Sequence, residues 1–101
     1  IVLNEVTGAV VLNNRVTGSG RDGIFVVDTF NAVFVGNKVR DNGRDGLHVE
    51  GTSKNLAIFG NQLRGNTQFD AFDDTTGNGT AGTANLWFGN SIGTKSRPGL
   101  K

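Results

Sequence analysis

Cysteine, methionine and tyrosine are absent from this chain, and proline, tryptophan and histidine occur once each. Without cysteine there is no disulfide and no thiolate metal site, so the usual staple of a small secreted domain is missing. No apolar run approaches the roughly 18 residues that a membrane-crossing helix needs, and no membrane partner is expected. Ten Lys and Arg against nine Asp and Glu leave a formal charge of +1. A nucleic-acid binder usually shows a clear basic excess, so no nucleic-acid partner is expected either. The 101 residues give room for one small domain. What is abundant is Gly, at 16, followed by Asn, Val and Thr. β-Branched residues are plentiful and strong helix formers few, so the chain reads as all-β.

An internal repeat is the main signal. Arg21-Asp22-Gly23-Ile24-Phe25-Val26 returns as Arg44-Asp45-Gly46-Leu47-His48-Val49, and Asn14-Arg15-Val16 returns as Asn37-Lys38-Val39 and then Asn61-Gln62-Leu63. Asn31-Ala32-Val33-Phe34-Val35-Gly36-Asn37 matches Asn55-Leu56-Ala57-Ile58-Phe59-Gly60-Asn61, with a degraded copy at Asn85-Leu86-Trp87-Phe88-Gly89-Asn90. Each copy holds three short β-type runs separated by Gly, Asn and Asp, which tolerate tight bends. Runs this short make no stable hairpin sheet, but each pairs in parallel with the same run one repeat later, about 4.8 Å away. The pattern therefore predicts a parallel solenoid of about four turns of 23–24 residues. The turns cover 1–92, with a loop insertion at 75–84 and a turn-rich tail at 93–101. The chain opens directly into Ile1-Val2-Leu3, which reads as a fragment lacking its N-terminal neighbour.

The pattern N-x-V-x-x-N/S-G-x-D-G-I/L-x-V resembles the short repeats of right-handed parallel β-helix proteins. These include pectate-lyase-like enzymes, mannuronan epimerase-like modules and periplasmic NosD-like proteins. The resemblance spans about residues 1–92, and it supplies the right-handedness. It implies an extracellular or periplasmic protein that binds or modifies acidic polysaccharide, with lyase- or epimerase-like chemistry if it is an enzyme. Its motifs are specific for the fold rather than for the activity. The flanking acidic-Pro-His pattern of some relatives is missing, and there is no Met or Cys to suit a copper role.

Several residues carry candidate chemistry. Alternation along the strand places His48 outward and exposed, near Phe25 and Phe72 in the neighbouring turns. There Phe25 can stack on a sugar ring while His48 or Arg44 serves as the base. Asp22 and Asp45 either accept backbone N–H groups at the bend or form an edge with Arg21 and Arg44. Such an edge can hold Ca²⁺ or grip an acidic sugar. Arg15, Lys38 and Gln62 form a second outward row, either solvated or bound to a polyanion. The set expected to act is thus His48 and Arg44 for catalysis, Phe25, Arg21 and Lys38 for substrate, and Asp22 and Asp45 for metal. Asn14, Asn37 and Asn61, and in parallel Asn31, Asn55 and Asn85, are expected to form internal ladders at the bends. Trp87 and Phe88 are expected to close the open end of the core. The competing reading is a structural module that stacks end to end through its uncapped start. Replacing His48 or Asp45 by Ala is expected to leave the fold intact.

Overall fold

The computed structural model describes residues 1–101 as three parallel sheets, each four strands deep. The first contains β1 (Val2–Asn4), β4 (Ile24–Val27), β7 (Leu47–Glu50) and β10 (Ala71–Asp73). The second contains β2 (Val10–Leu12), β5 (Val33–Val35), β8 (Ala57–Phe59) and β11 (Leu86–Phe88). The third contains β3 (Arg15–Thr17), β6 (Lys38–Arg40), β9 (Gln62–Arg64) and β12 (Ser91–Ile92). The chain thus visits each sheet four times, with three layer-to-layer steps between visits. There is no α-helix, only a short 3₁₀ turn at Thr80–Gly82.

Register follows the repeat. Val2, Phe25, His48 and Phe72 pair in one column, Val11, Phe34, Ile58 and Trp87 in another, and Val16, Val39, Leu63 and Ile92 in a third. The second and third columns point inward, and with Leu3, Val26 and Val49 they fill the core. Each fully buried Val, Leu, Ile or Phe contributes about 1.5–3 kcal/mol. Trp87 is wholly buried in the last layer, whereas Phe88 lies outside, so the expected closure falls to Trp87 alone. Leu100, from the tail, is buried in the same core cluster.

The bends divide the work among asparagines differently from the expectation. Asn14, Asn37, Asn61 and Asn90 form a ladder, in which the Oδ1 of Asn37, Asn61 and Asn90 accepts N–H groups from the asparagine one layer before. The left-handed backbone belongs instead to the position just before them, occupied by Asn13, Gly36, Gly60 and Gly89. Asn31 and Asn55 are left-handed, at φ 56° and 59°, and exposed, with no ladder. Asn85 is out of phase with them: it pairs with Leu56 rather than Asn55 and is buried. A second ladder runs from Ser19 through Asn42 and Asn66 to Asp70. Gly23 and Gly46 sit against it. A Cβ on either would lie 2.7 or 2.6 Å from the Nδ2 of Asn42 or Asn66, so close approach and not positive φ demands glycine there.

The outer faces differ sheet by sheet. The first is aromatic and acidic, and the third carries Arg15, Lys38, Arg40 and Arg64. The second has two outward columns: Val10, Val33, Ala57 and Leu86, then Leu12, Val35, Phe59 and Phe88. Neither contains a polar residue.

Candidate functional site

The first sheet sets out a column of rings. Phe25, His48 and Phe72 are directly opposite one another on β4, β7 and β10. The His48 ring lies 4.2 Å from Phe72, stacked at 20°, and 5.2 Å from Phe25. Both faces of the imidazole are therefore covered. His48 points outward, as alternation requires, yet it is only 8% exposed. The expectation of an exposed histidine is corrected by its cross-layer neighbours: layers about 4.8 Å apart bring flat rings into contact.

Carboxylates close the edges of the ring. His48 Nδ1 donates to Asp45 Oδ2 at 2.7 Å and Nε2 donates to Glu50 Oε2 at 2.9 Å. An ionised carboxylate only accepts, so this arrangement favours the doubly protonated ring. Asp22 Oδ2 stands 3.8 Å from Nδ1. The His48 pKa lies above its ordinary 6.5. Burial alone would lower it, but the hydrogen bonds to Glu50 and Asp45 and the charges of Asp22 and Asp45 outweigh burial. A histidine held protonated, with both nitrogens committed, is a poor general base.

Asp22 and Asp45 each do two things. Asp22 Oδ1 accepts the backbone N–H of Asp45 at 2.9 Å, and Asp45 Oδ1 accepts that of Phe69 at 2.8 Å. These are inter-layer caps, and they aim the remaining Oδ2 atoms toward His48. The row ends at Phe69, which takes the carboxylate position in the last layer. One ligand atom each from Asp22, Asp45 and His48 lies within 4.8 Å of the others. Calcium takes six to eight oxygens. A ring nitrogen that carries a proton toward a carboxylate is not free to ligate a metal, and Asp22 and Asp45 alone offer too few oxygens for that ion.

A groove of about 510 Å³ opens over this edge, and Arg21, Asp22, Phe25, Arg44, His48 and Glu50 all line it. Arg21 and Arg44 are exposed, and neither joins an ion pair; the salt bridges of the chain are Arg40–Asp41 and those of His48. Five of the seven residues singled out from the sequence therefore line this groove, and Asp45 lies behind it against His48. Lys38 does neither: it lies on the third sheet beside Arg40, Gln62 and Arg64, because the bend between the second and third strands of each layer turns it to another face. Glu50 was missed, although Leu47-His48-Val49-Glu50 places it two residues beyond His48 on the same face. A shallower hollow of about 610 Å³ beside the 75–84 loop offers one charged group, Lys54, and no acid–base pair.

A family model described as a right handed beta helix region matches residues 1–92. No curated protein and no solved structure matches the chain.

Proposed function

Because the chain belongs to the right-handed β-helix family, we propose that it is a β-helix module that binds acidic polysaccharide in the groove of its first sheet. The reading rests on one observation: Arg21 and Arg44, two guanidinium groups without ion-pair partners, line a groove together with the ring of Phe25. Guanidinium groups match carboxylates in a two-pronged geometry, and an aromatic ring offers a face to a sugar. Asp22, Asp45 and Glu50 surround the His48 ring behind them and hold the groove wall in place, so recognition falls to the directed guanidinium groups and not to the net charge of the groove. Retention of substrate, not proton abstraction by His48, is the role that fits a ring with both nitrogens engaged. An extracellular or periplasmic setting would put such a module beside its polymer.

Calorimetric titration with a uronate oligosaccharide, and with its methyl-esterified counterpart, tests the proposal. Saturable binding of the charged form is expected, weakened at least tenfold in Arg44→Ala, since a hydrogen bond to a charged group is worth about 1.5–3 kcal/mol. Lys38→Ala should leave it within about twofold, apart from general screening effects. Equal binding of the esterified form, or a larger loss from Lys38→Ala than from Arg44→Ala, would move the site to the third sheet or remove it.

A further inference from the structure

We infer that the outer face of the second sheet is where two copies of this chain pair. Strands buried on both faces read as unbroken apolar runs, whereas half-exposed strands alternate. β2, β5, β8 and β11 read Val-Val-Leu, Val-Phe-Val, Ala-Ile-Phe and Leu-Trp-Phe, with no alternation. The corresponding strands of the third sheet, Arg-Val-Thr, Lys-Val-Arg and Gln-Leu-Arg, alternate fully. The second sheet thus has the composition of a doubly covered sheet, but only its inner face is covered within the chain.

The uncovered area is large for so small a molecule. Val10, Leu12, Leu86 and Phe88 are 66%, 53%, 53% and 42% exposed. With the half-buried residues between them, the face presents roughly 500 Å² of contiguous apolar surface, toward the upper end of the roughly 300–600 Å² spanned by the largest patch of a typical monomer, a patch that is often functional. Phe59 and Phe88 stack at 4.9 Å and 7°, which keeps that part of the face flat. The residue following each strand is Asn13, Gly36, Gly60 or Gly89, so this rim carries neither charge nor bulk.

These features select the occupant. A charged partner finds nothing complementary here. A second copy brings an equally flat, uncharged and apolar face, and sheets pack face to face in this way about 10 Å apart. Two such faces would bury roughly 1,000 Å² in total, the lower limit for a specific interface. The pairing is isologous and closes at two copies, with both first-sheet grooves left open. It differs from stacking through the ends of the solenoid, which is open-ended and leaves the second sheet exposed.

Light scattering after gel filtration, over a concentration series, decides the matter. The expected species has twice the monomer mass and dissociates on dilution. Val35→Lys and Leu86→Glu, one in the middle of the face and one in its last layer, should each yield a monomer at all concentrations. Both side chains point outward, and circular dichroism unchanged from the parent would verify that the fold survives. A parent chain that stays monomeric throughout would overturn the proposal. So would a dimer, or a growing polymer, that persists in two folded variants, since the contact would then lie elsewhere.

Discussion

Two buried polar networks run along this solenoid, one inside the wall and one outside it, and they differ in what they leave over. Inside, Asn37 and Asn61 are nearly inaccessible, and every polar atom of their side chains is used. Asn61 Oδ1 accepts from the backbone and the side chain of Asn37, while Asn61 Nδ2 donates to Phe34, Phe59 and Asn90. Outside, His48 is equally saturated, but its surroundings are not. Asp22 Oδ2 reaches only to 3.8 Å from the ring, and Arg21 and Arg44 hold no ion pair. A network that consumes all its hydrogen-bonding capacity serves the fold. One that keeps acceptors and cations free beside a groove has capacity for a ligand.

The sharpest way to break this comparison is at Asn61. Asn61→Ala removes the acceptor for the backbone N–H of Asn37 and the donor to the buried Phe34 carbonyl and the partly buried Phe59 carbonyl. Each buried group left unpaired costs about 1–3 kcal/mol, so a loss of about 3 kcal/mol is expected in urea unfolding. A loss below 1 kcal/mol would mean that water replaces the ladder and that the inner network is not what holds the layers in register.

A smaller effect is expected at Asp45. Asp45→Ala is expected to leave the fold intact but at a cost in stability: Asp45 is 3% exposed, caps Phe69 and partners His48. A loss of about 2 kcal/mol follows from one uncapped backbone donor and one unpaired ring nitrogen. Asp45→Asn, which keeps the cap, should recover part of it. Recovery of all of it would show that the charge toward His48 contributes nothing.

The outer network alone should make stability depend on pH near neutrality. The folded-state pKa of His48 is raised above 6.5. The imidazolium therefore contributes fully below about pH 6.5, and the contribution fades as pH rises through the folded value. Unfolding free energies of the parent and of His48→Gln, measured from pH 6 to pH 9, should converge toward the alkaline end. The expected gap at pH 6 is about 1 kcal/mol. A gap that widens with pH would mean that the neutral ring is the favoured form.

How much of this was legible follows from which spacings the sequence displays. The period of 23–24 residues shows the parallel layers, the inner column and the ladder at Asn14, Asn37 and Asn61. A second ladder was equally periodic at Ser19, Asn42 and Asn66, but lay hidden between more conspicuous motifs. The outward direction of His48 could be read from alternation. Its burial could not, because that depends on Phe25 and Phe72 one layer away and on the thickness of two rings. Lys38 was grouped with Phe25 because both point outward, yet outward means a different direction on each of three sheets. The apolar second face was visible as failed alternation in Val33-Phe34-Val35 and Ala57-Ile58-Phe59. The runs alone do not say what covers them, since short apolar runs look alike whether one face or both are covered.

The smallest expected effect separates the two reasons a solenoid uses asparagine. Asn31 sits at φ 56°, exposed, with no hydrogen bond from its side chain, and only its backbone N–H is engaged, by Lys54. Asn61 is needed for its amide, whereas Asn31 is needed for a backbone region that few L-residues enter readily. Asn31→Gly should therefore change stability by less than about 0.5 kcal/mol, because glycine enters that region without strain while giving the unfolded chain more freedom. Asn31→Ala should cost about 1 kcal/mol from strain alone. At Asn61, glycine should be no better than alanine, since neither restores the amide. If glycine rescued Asn61, or if glycine and alanine were equally harmful at Asn31, the division between bend asparagines and ladder asparagines would be wrong.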